Sequence, residues 1–313
     1  MKLTYRFFIG LITTILIVGC TLKEKKNMEH ATTDNTKVKD FERVLPPALI
    51  INPEDRAGYM VVHFWDHFDF RDTMYCHAPE ITEQAFSDFI NLFSYTSYEK
   101  VRQGIQKLLD SAEVDVVMYN YFLHKAEQYL YDPNSPMRND EYFIPFLEQL
   151  VTSAKVVDVD KIRPRQQLEI AKRNRPGAKA EDIVYTTASG RTGTLYGLPA
   201  AYVLIMFFNP DCYECKQTTE QLKNSPAISS AVASGRLKVL AVYPDENLEI
   251  WKNHLKDLPP AWINSYDASL TIRQRQTYDL KAIPTLYLLD ESKRVLLKDA
   301  TATTIHEYFE KVK

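Results

Sequence analysis

The spacing of apolar side chains divides the chain into a helical first part and a second part that contains strands. In the first part apolar residues recur every three or four positions, which is typical of one buried face of an α-helix. The five predicted helices lie at about residues 81–93, 101–112, 116–130, 140–155 and 160–174. Thr82 is placed to cap the first of them. The pattern predicts an all-helical domain over residues 41–176.

From about Ala180 the pattern changes to short runs of β-branched and aromatic residues that alternate with helical segments. A hairpin is predicted around Ala188-Ser189-Gly190-Arg191. The order of elements predicts an α/β domain over residues 180–313, with a central mixed sheet flanked by helices. Further strands are predicted at about residues 202–208, 237–243, 285–289 and 295–298, and helices after Cys212, at about 248–258 and 269–278, and from about 303.

The N-terminus has a third pattern, in which two basic residues precede the twelve-residue apolar span Phe7 to Val18. This span predicts a signal peptide in residues 1–19, because it is short for a bilayer crossing. The motif Ile-Val-Gly-Cys resembles the bacterial lipobox, which implies cleavage before Cys20 and lipidation of that residue. Residues 20–40 are polar and rich in lysine, so we expect a flexible tether. These features predict a protein anchored through lipid to a bacterial envelope membrane, outside the cytoplasm on the periplasmic side or the cell surface.

Composition and charge exclude one class of partner. The chain has 38 basic and 41 acidic residues, and a net charge of −3 gives no reason to expect nucleic-acid binding. Hydrophobic residues make up 45% of 313 positions, which is enough for two domains that each have a core.

The strongest chemical signal is the pair Cys212 and Cys215, at the point where the apolar run 202–208 ends and a helix begins. Two cysteines with this spacing in the first turn of a helix can open and close a disulfide with little backbone movement. Cys212 is the predicted nucleophile, since the helix dipole favours its thiolate. Cys215, one turn deeper, is predicted to resolve the mixed disulfide. We expect no cofactor beyond this redox-active disulfide.

Other candidate groups favour structural roles. Cys76 is left unpaired and is predicted to be a small buried hydrophobe, with a regulatory or resolving thiol as the alternative. His63 and His67 lie four residues apart near several aspartates, but their segment is rich in aromatic and β-branched residues, so no metal site is expected. The aromatic residues of 64–70 are predicted to pack in a core or between domains, with a carbohydrate or peptide platform as the alternative.

The second domain resembles the thioredoxin-like domain of membrane-anchored thiol-disulfide oxidoreductases of the TlpA and ResA type. The hairpin, the run YVLIMFFNPDCYECK, the run KAIPTLYLLD and the closing hairpin carry the resemblance. It implies exchange of disulfides with protein substrates, and a membrane electron-donor protein as a further partner. It also implies that Pro284 is cis and positions substrate beside the cysteines, and that Ile283, Thr285 and Tyr213 contact the substrate.

Two departures from that family affect the chemistry. Met206 occupies the position of the buried aspartate of thioredoxin, and Thr218 occupies that of a glutamate found in some TlpA-type reductases. Glu214 is then the nearby candidate for the proton acceptor of Cys215. The helix N-terminus and Lys216 favour a thiolate, whereas Glu214 disfavours it. Strong oxidants need a markedly stabilised thiolate, so the balance weakly favours a reductase.

The helical part is similar to a domain of unknown function that precedes thioredoxin-like domains in envelope lipoproteins of some Gram-negative anaerobes. Its segment WDHFDF and the turn 135–139 carry this similarity, which implies an architecture and names no activity. The alternative function is therefore an envelope lipoprotein that binds glycan or protein through the helical part. The thioredoxin-like part would then be structural or a disulfide isomerase.

Overall fold

The computed structural model describes residues 40–312, so the predicted signal peptide, the predicted lipidation site Cys20 and nearly all of the predicted tether lie outside the described residues. In this part of the chain no helix is both long enough and apolar enough to span a bilayer. The first α-helices are α1 Pro53–His63, α2 Thr82–Asn91, α3 Tyr98–Ala112, α4 Val116–Leu130, α5 Asp140–Thr152 and α6 Ile162–Ala171. Short 3-10 turns at Thr73–His77, Phe93–Tyr95 and Asp158–Lys161 join them.

Side-chain caps fix where most of these helices begin. Ser97, Asp115 and Asn139 each accept hydrogen bonds from backbone N–H groups of the first turn that follows, which would otherwise lack partners. The prediction that Thr82 caps α2 is wrong. Ile81 holds the capping position, and the Thr82 hydroxyl donates to a backbone carbonyl of the preceding 3-10 turn at 2.9 Å.

The periodicity of the sequence does not predict helix α1. Asn52 caps it by accepting from two backbone amides, and Pro53 occupies a first-turn position, where its fixed φ suits a helix. These end signals outweigh the low helix propensity of the aromatic and β-branched residues that follow. His63 ends the helix, and its Nδ1 lies 2.8 Å from Asp66. In residues 40–312 no cluster of histidine, cysteine and acidic side chains could hold a metal ion.

An aromatic core fills the helical part. Phe122 of α4 lies at its centre, and its ring centroid is 5.0 Å from Trp65 and 5.9 Å from Phe68 and Phe70. The predicted core role of this aromatic segment is confirmed by its burial. Cys76 packs half-buried against the same core, with Sγ 3.8 Å from the sulfur of a methionine in α4. Burial raises the pKa of the Cys76 thiol, as expected for an unreactive cysteine.

Within the described residues, the second part of the chain contains a seven-stranded mixed sheet with the strand order β2-β1-β5-β4-β3-β6-β7. The strands are β1 Val184–Thr187, β2 Thr192–Thr194, β3 Tyr202–Phe207, β4 Leu237–Tyr243, β5 Ile263–Tyr266, β6 Thr285–Asp290 and β7 Val295–Lys298. The helices are α7 Tyr213–Asn224, α8 Pro226–Ala233, α9 Leu248–Asn253, α10 Thr271–Gln274 and α11 Ala302–Lys311. The pairs β3–β4 and β4–β5 are parallel, and the other neighbours are antiparallel.

Strand β3 is the centre of this sheet and is buried on both faces, as its unbroken apolar sequence predicts. Leu204 and Met206 face a core that also contains residues of α7, α8 and α11. Val203, Ile205 and Phe207 face the opposite core. Each face of the strand therefore packs against its own layer of side chains.

The segment between β4 and β6 differs from the prediction. The two predicted helices shorten to α9 and α10, and strand β5 lies between them, where the sequence predicts no strand. The sequence of β5, Ile263-Asn264-Ser265-Tyr266, has no apolar run. It can nevertheless form a strand inside the fold, because its polar side chains have hydrogen-bond partners there. Asn264 Oδ1 accepts from the Trp251 indole N–H at 2.7 Å, and the Ser265 hydroxyl donates to the Ala241 carbonyl at 2.9 Å.

Helices α1 and α3 approach closely at Gly104, and this contact gives a first prediction. A Cβ at position 104 would lie 2.7 Å from the carbonyl oxygen of Val61, a backbone atom that cannot rotate away. We expect Gly104→Ala to lower the free energy of unfolding, measured by urea denaturation, by about 1–3 kcal/mol. At an uncrowded position inside a helix, the same change usually raises that free energy by about 1 kcal/mol.

Gly58→Ala, on α1, is the matched control. Its Cβ would meet the Thr96 hydroxyl at 2.7 Å and the Lys100 Cγ at 3.0 Å, which are side-chain atoms that can move. We expect it to cost less than Gly104→Ala. Unchanged or higher stability of the Gly104 variant would contradict the packing described here.

Candidate functional site

The turn between β3 and α7 places two thiols at the carboxyl edge of the sheet. Cys212 is the N-cap of α7, and its Sγ accepts the backbone N–H of Cys215 at 3.3 Å. Cys212 is half-buried and reaches the surface, whereas Cys215 is 2% exposed. Both are free thiols in this structure. The arrangement therefore has one accessible sulfur, held at a helix N-terminus, and one buried sulfur behind it.

The pairing of β3 with β6 brings a distant segment to these thiols. Phe207, the last residue of β3, lies opposite Thr285, the first residue of β6. Just before Thr285, the peptide bond between Ile283 and Pro284 is cis, as the family resemblance implies. The Cys212 Sγ–H donates to the Ile283 carbonyl at 3.4 Å, across 71 positions of sequence. The structure thus brings both cysteines together with the segment of the cis peptide.

The three residues predicted to contact substrate differ in exposure. Tyr213 is 69% exposed beside Cys212, and Ile283 is half-buried. The expectation for the Thr285 side chain is corrected by its burial, because it is 1% exposed and its hydroxyl donates to the Ala282 carbonyl. Thr285 therefore holds the segment that carries Ile283, and contact of Ile283 and Tyr213 with substrate stays a prediction.

The buried thiol of Cys215 does not ionise easily. Burial in an apolar environment raises its pKa, and its contact with Cys212 raises it further. The backbone N–H of Asn209 lies 3.5 Å from the Cys215 Sγ and acts weakly in the opposite direction. Met206 is fully buried in the same apolar cluster, so the strand supplies no carboxylate beneath the sulfur. Exchange through Cys215 therefore needs a proton acceptor from another element.

Glu214 does not fit the role predicted for it. Its side chain is exposed and, among the described residues, it forms neither a hydrogen bond nor an ion pair. Its negative charge instead contributes to raising the pKa of Cys215, because it disfavours a second negative charge on the nearby sulfur. Closeness in sequence therefore gives Glu214 no buried contact with the thiol that it was expected to deprotonate.

A cavity of about 320 Å³ beside Cys215 contains a better candidate for the proton acceptor. Cys215 and His254 both line it, together with Asp257. His254 Nδ1 lies 2.6 Å from Asp257 Oδ2. The other ring nitrogen, Nε2, lies 3.4 Å from Oδ1 of Asp211, the residue just before Cys212. The Asp257 carboxylate accepts from the Nδ1–H and so orients the ring, with Nε2 towards Asp211. Sequence reasoning missed this pair because His254 lies far from the cysteines along the chain.

Glu220 also lines this cavity but is a weaker base. Lys223 lies 2.8 Å from its carboxylate and lowers its pKa. A carboxylate that is already paired and readily ionised has little tendency to take a proton from a buried thiol. The cavity therefore favours His254 for this role.

A chain of polar contacts fixes the turn that carries the thiols. The Asn209 side-chain amide donates to Asp245 at 3.3 Å, and Asp245 in turn accepts from Arg273 at 2.9 Å. Arg273 also donates to the Leu280 carbonyl at 3.5 Å. Since Leu280 lies shortly before the cis peptide, the chain of contacts connects the two segments that meet at the thiols.

Comparison with known proteins gives a family match for each part. Residues 19–174 match a domain of unknown function, DUF5106, and residues 200–295 match a family described as thioredoxin-like. A thioredoxin-like protein from Bacteroides caccae, known from a crystal structure, is 45% identical with a TM-score of 0.85, over 88% of this chain and 100% of that one. The C-terminal domain of an uncharacterized protein from Bacteroides fragilis is 50% identical with a TM-score of 0.43, over 44% of this chain and 98% of that one. No curated protein matches the chain.

The difference between the thiols predicts their order of alkylation. At neutral pH we expect iodoacetamide to modify Cys212 first, because Cys215 is buried and because burial raises the pKa of both Cys215 and Cys76. Peptide mapping by mass spectrometry after short exposures measures the order. Denaturation in guanidinium should remove the difference, and equal labelling of the folded protein would contradict the site geometry.

Proposed function

Because the chain belongs to the thioredoxin-like proteins, we propose that it is a thiol-disulfide oxidoreductase that acts on protein substrates through Cys212 and Cys215. One observation carries the proposal: the Sγ of Cys212 lies at the N-terminus of α7, within 3.4 Å of the Ile283 carbonyl beside the cis peptide. An extended substrate strand laid along this segment would present its disulfide to the accessible sulfur. Tyr213 adds an exposed aromatic contact next to it.

In the first step, the Cys212 thiol releases its proton to water and the thiolate attacks one sulfur of the substrate disulfide. The bond between Cys212 and that sulfur forms as the substrate S–S bond breaks. The second substrate sulfur leaves as a thiolate and takes a proton from water. The N–H of Cys215, which donates to the Cys212 Sγ, stabilises the attacking thiolate.

In the second step, Cys215 gives its proton to His254 Nε2 through the cavity that both residues line. The new thiolate attacks the Cys212 sulfur, and the remaining substrate sulfur leaves as a thiolate that takes the proton back from His254. Asp257 holds the imidazole, and Asp211 faces the ring nitrogen that carries the transferred proton. Two electrons pass from the dithiol to the substrate, and Cys212 and Cys215 end as a disulfide.

We propose that the net direction is reductive. The Cys212 thiol donates a hydrogen bond to the Ile283 carbonyl at 3.4 Å. The sulfur accepts from the backbone N–H of Cys215, a neutral donor, whereas strong oxidants need a markedly stabilised thiolate. A membrane protein that donates electrons from a dithiol would reduce the Cys212–Cys215 disulfide after each cycle. Anchoring to the envelope through lipid on Cys20 is part of this proposal and rests on the sequence motif.

Substitution of each cysteine tests the exchange mechanism. We expect Cys212→Ser to lower insulin reduction at least about a hundredfold, since the attacking sulfur is lost. Cys215→Ser should instead accumulate a mixed disulfide on Cys212, seen on a non-reducing gel. Cys76→Ser, which changes a thiol in the other core, is the control and should retain activity. Reduction that persists in the Cys212 variant would overturn the proposed function.

The proton acceptor is tested by a pair of variants. We expect His254→Asn to slow resolution of the mixed disulfide by about tenfold to a hundredfold, because Cys215 then loses its base. Acid quenching during a single turnover measures the trapped intermediate. Glu214→Gln should resolve it at the wild-type rate. The reverse result, a slow Glu214 variant and a normal His254 variant, would assign the role to Glu214.

A further inference from the structure

A buried cluster of charges joins the helical part to the segment beside the thiols. Lys281 Nζ lies 2.5 Å from Asp140 Oδ1 of α5 and 3.0 Å from Asp279 Oδ2. Asp140 Oδ2 also lies 2.8 Å from Lys298 Nζ at the end of β7. The four side chains are only 5–9% exposed. The two carboxylates and the two ammonium groups balance in charge. Each buried ion therefore has a partner of opposite charge in place of water.

Asp140 is the member that belongs to the helical part. It is the first residue of α5, where the helix N-terminus favours a negative charge. Burial acts to raise its pKa, but Lys298 and Lys281 outweigh this and hold the pKa below its usual value. The carboxylate is therefore ionised and holds two lysines of the thioredoxin-like part at once.

Lys281 lies two residues before Ile283, whose carbonyl accepts from Cys212. The segment between the lysine and the sulfur has little freedom, because the Ala282 carbonyl accepts from the Thr285 hydroxyl. On the other side of the lysine, the Leu280 carbonyl accepts from the Arg273 guanidinium. The buried ion pairs of Lys281 are thus a third tie on this short segment, between the other two and next to the acceptor that faces Cys212.

We propose that the helical domain helps to build the exchange centre: Asp140 holds Lys281, and Lys281 positions the Ile283 carbonyl against the Cys212 sulfur. The inference rests on the proposed function for its catalytic consequence. Lys281 is a positioning residue in this scheme, because it acts through Ile283. The domain of unknown function thereby acquires a role in setting the reactivity of Cys212.

Other contacts already fasten the two parts together, so simple attachment does not require Lys281. Arg138 of the helical part forms a two-pronged pair with Asp299, at 2.6 and 3.1 Å. Lys298 donates to two backbone carbonyls at and just after the end of α6, at 2.8 and 2.9 Å, in addition to its pair with Asp140. Lys281 differs from these residues in its place on the segment that carries the acceptor of the Cys212 thiol.

Lys281→Met and Lys298→Met form a matched pair for the test. Each removes one ammonium group from Asp140, and Lys298 makes at least as many contacts, so its loss should destabilise the fold as much or more. Displacement of the Ile283 carbonyl removes a contact of the Cys212 sulfur and leaves the sulfur more open to reagent. We expect Lys281→Met to raise the rate of Cys212 alkylation at least about threefold, with Lys298→Met near the wild-type rate.

Insulin reduction gives the second readout in the full-length protein. We expect kcat/KM to fall about tenfold or more in Lys281→Met, because a displaced cis-peptide segment no longer aligns the substrate strand with the Cys212 sulfur. Activity should recover in Lys281→Arg, which restores the charge. Urea denaturation of each variant measures stability separately. Equal changes in the two methionine variants, or an unchanged Lys281 variant, would overturn the proposal. Alkylation needs no exchange activity, so an inactive wild type would refute the proposed function while this arm still tests the coupling.

Discussion

The burial of β3 between β4 and β6 is the constraint on which the site depends. Both faces of the strand are covered, so its register with each neighbour is fixed by the side chains it must bury. The pairing with β6 sets Phe207 opposite Thr285. A slip of one residue would exchange the two buried faces and carry Ile283 away from Cys212. The proposed exchange centre is thus a product of sheet register as much as of the two cysteines.

The chemistry around Cys215 follows from an apolar strand. Met206 lies where a carboxylate would serve as a base, which leaves the buried thiol surrounded by hydrophobic groups. In the proposed mechanism the proton leaves sideways, into the cavity lined by His254 and Asp257. A proton acceptor at the edge of a cavity has access to water, whereas one beneath the strand would be desolvated. The position of the proposed base therefore follows from which side of the sulfur is polar.

The features that can be predicted from the sequence are those encoded by local pattern. The helical stripes, the apolar run of β3 and the spacing of Cys212 and Cys215 each follow from neighbouring residues. Strand β5 could not be predicted in this way, because Asn264 and Ser265 bury their polar groups against distant partners. The same holds for His254, since its approach to the cysteines depends on how the segment after β4 folds back. Periodicity shows which face of a helix or strand is buried, but it does not show which distant residues that face will contact.

The charge cluster at Asp140 limits how freely these two domains can be recombined. A chimaera that joined this thioredoxin-like part to a helical partner without a carboxylate at the start of α5 would leave Lys298 buried without its counter-ion. Lys281 would keep only Asp279. Electrostatic matching at the contact between the two domains therefore limits which helical and thioredoxin-like domains can be combined in one chain.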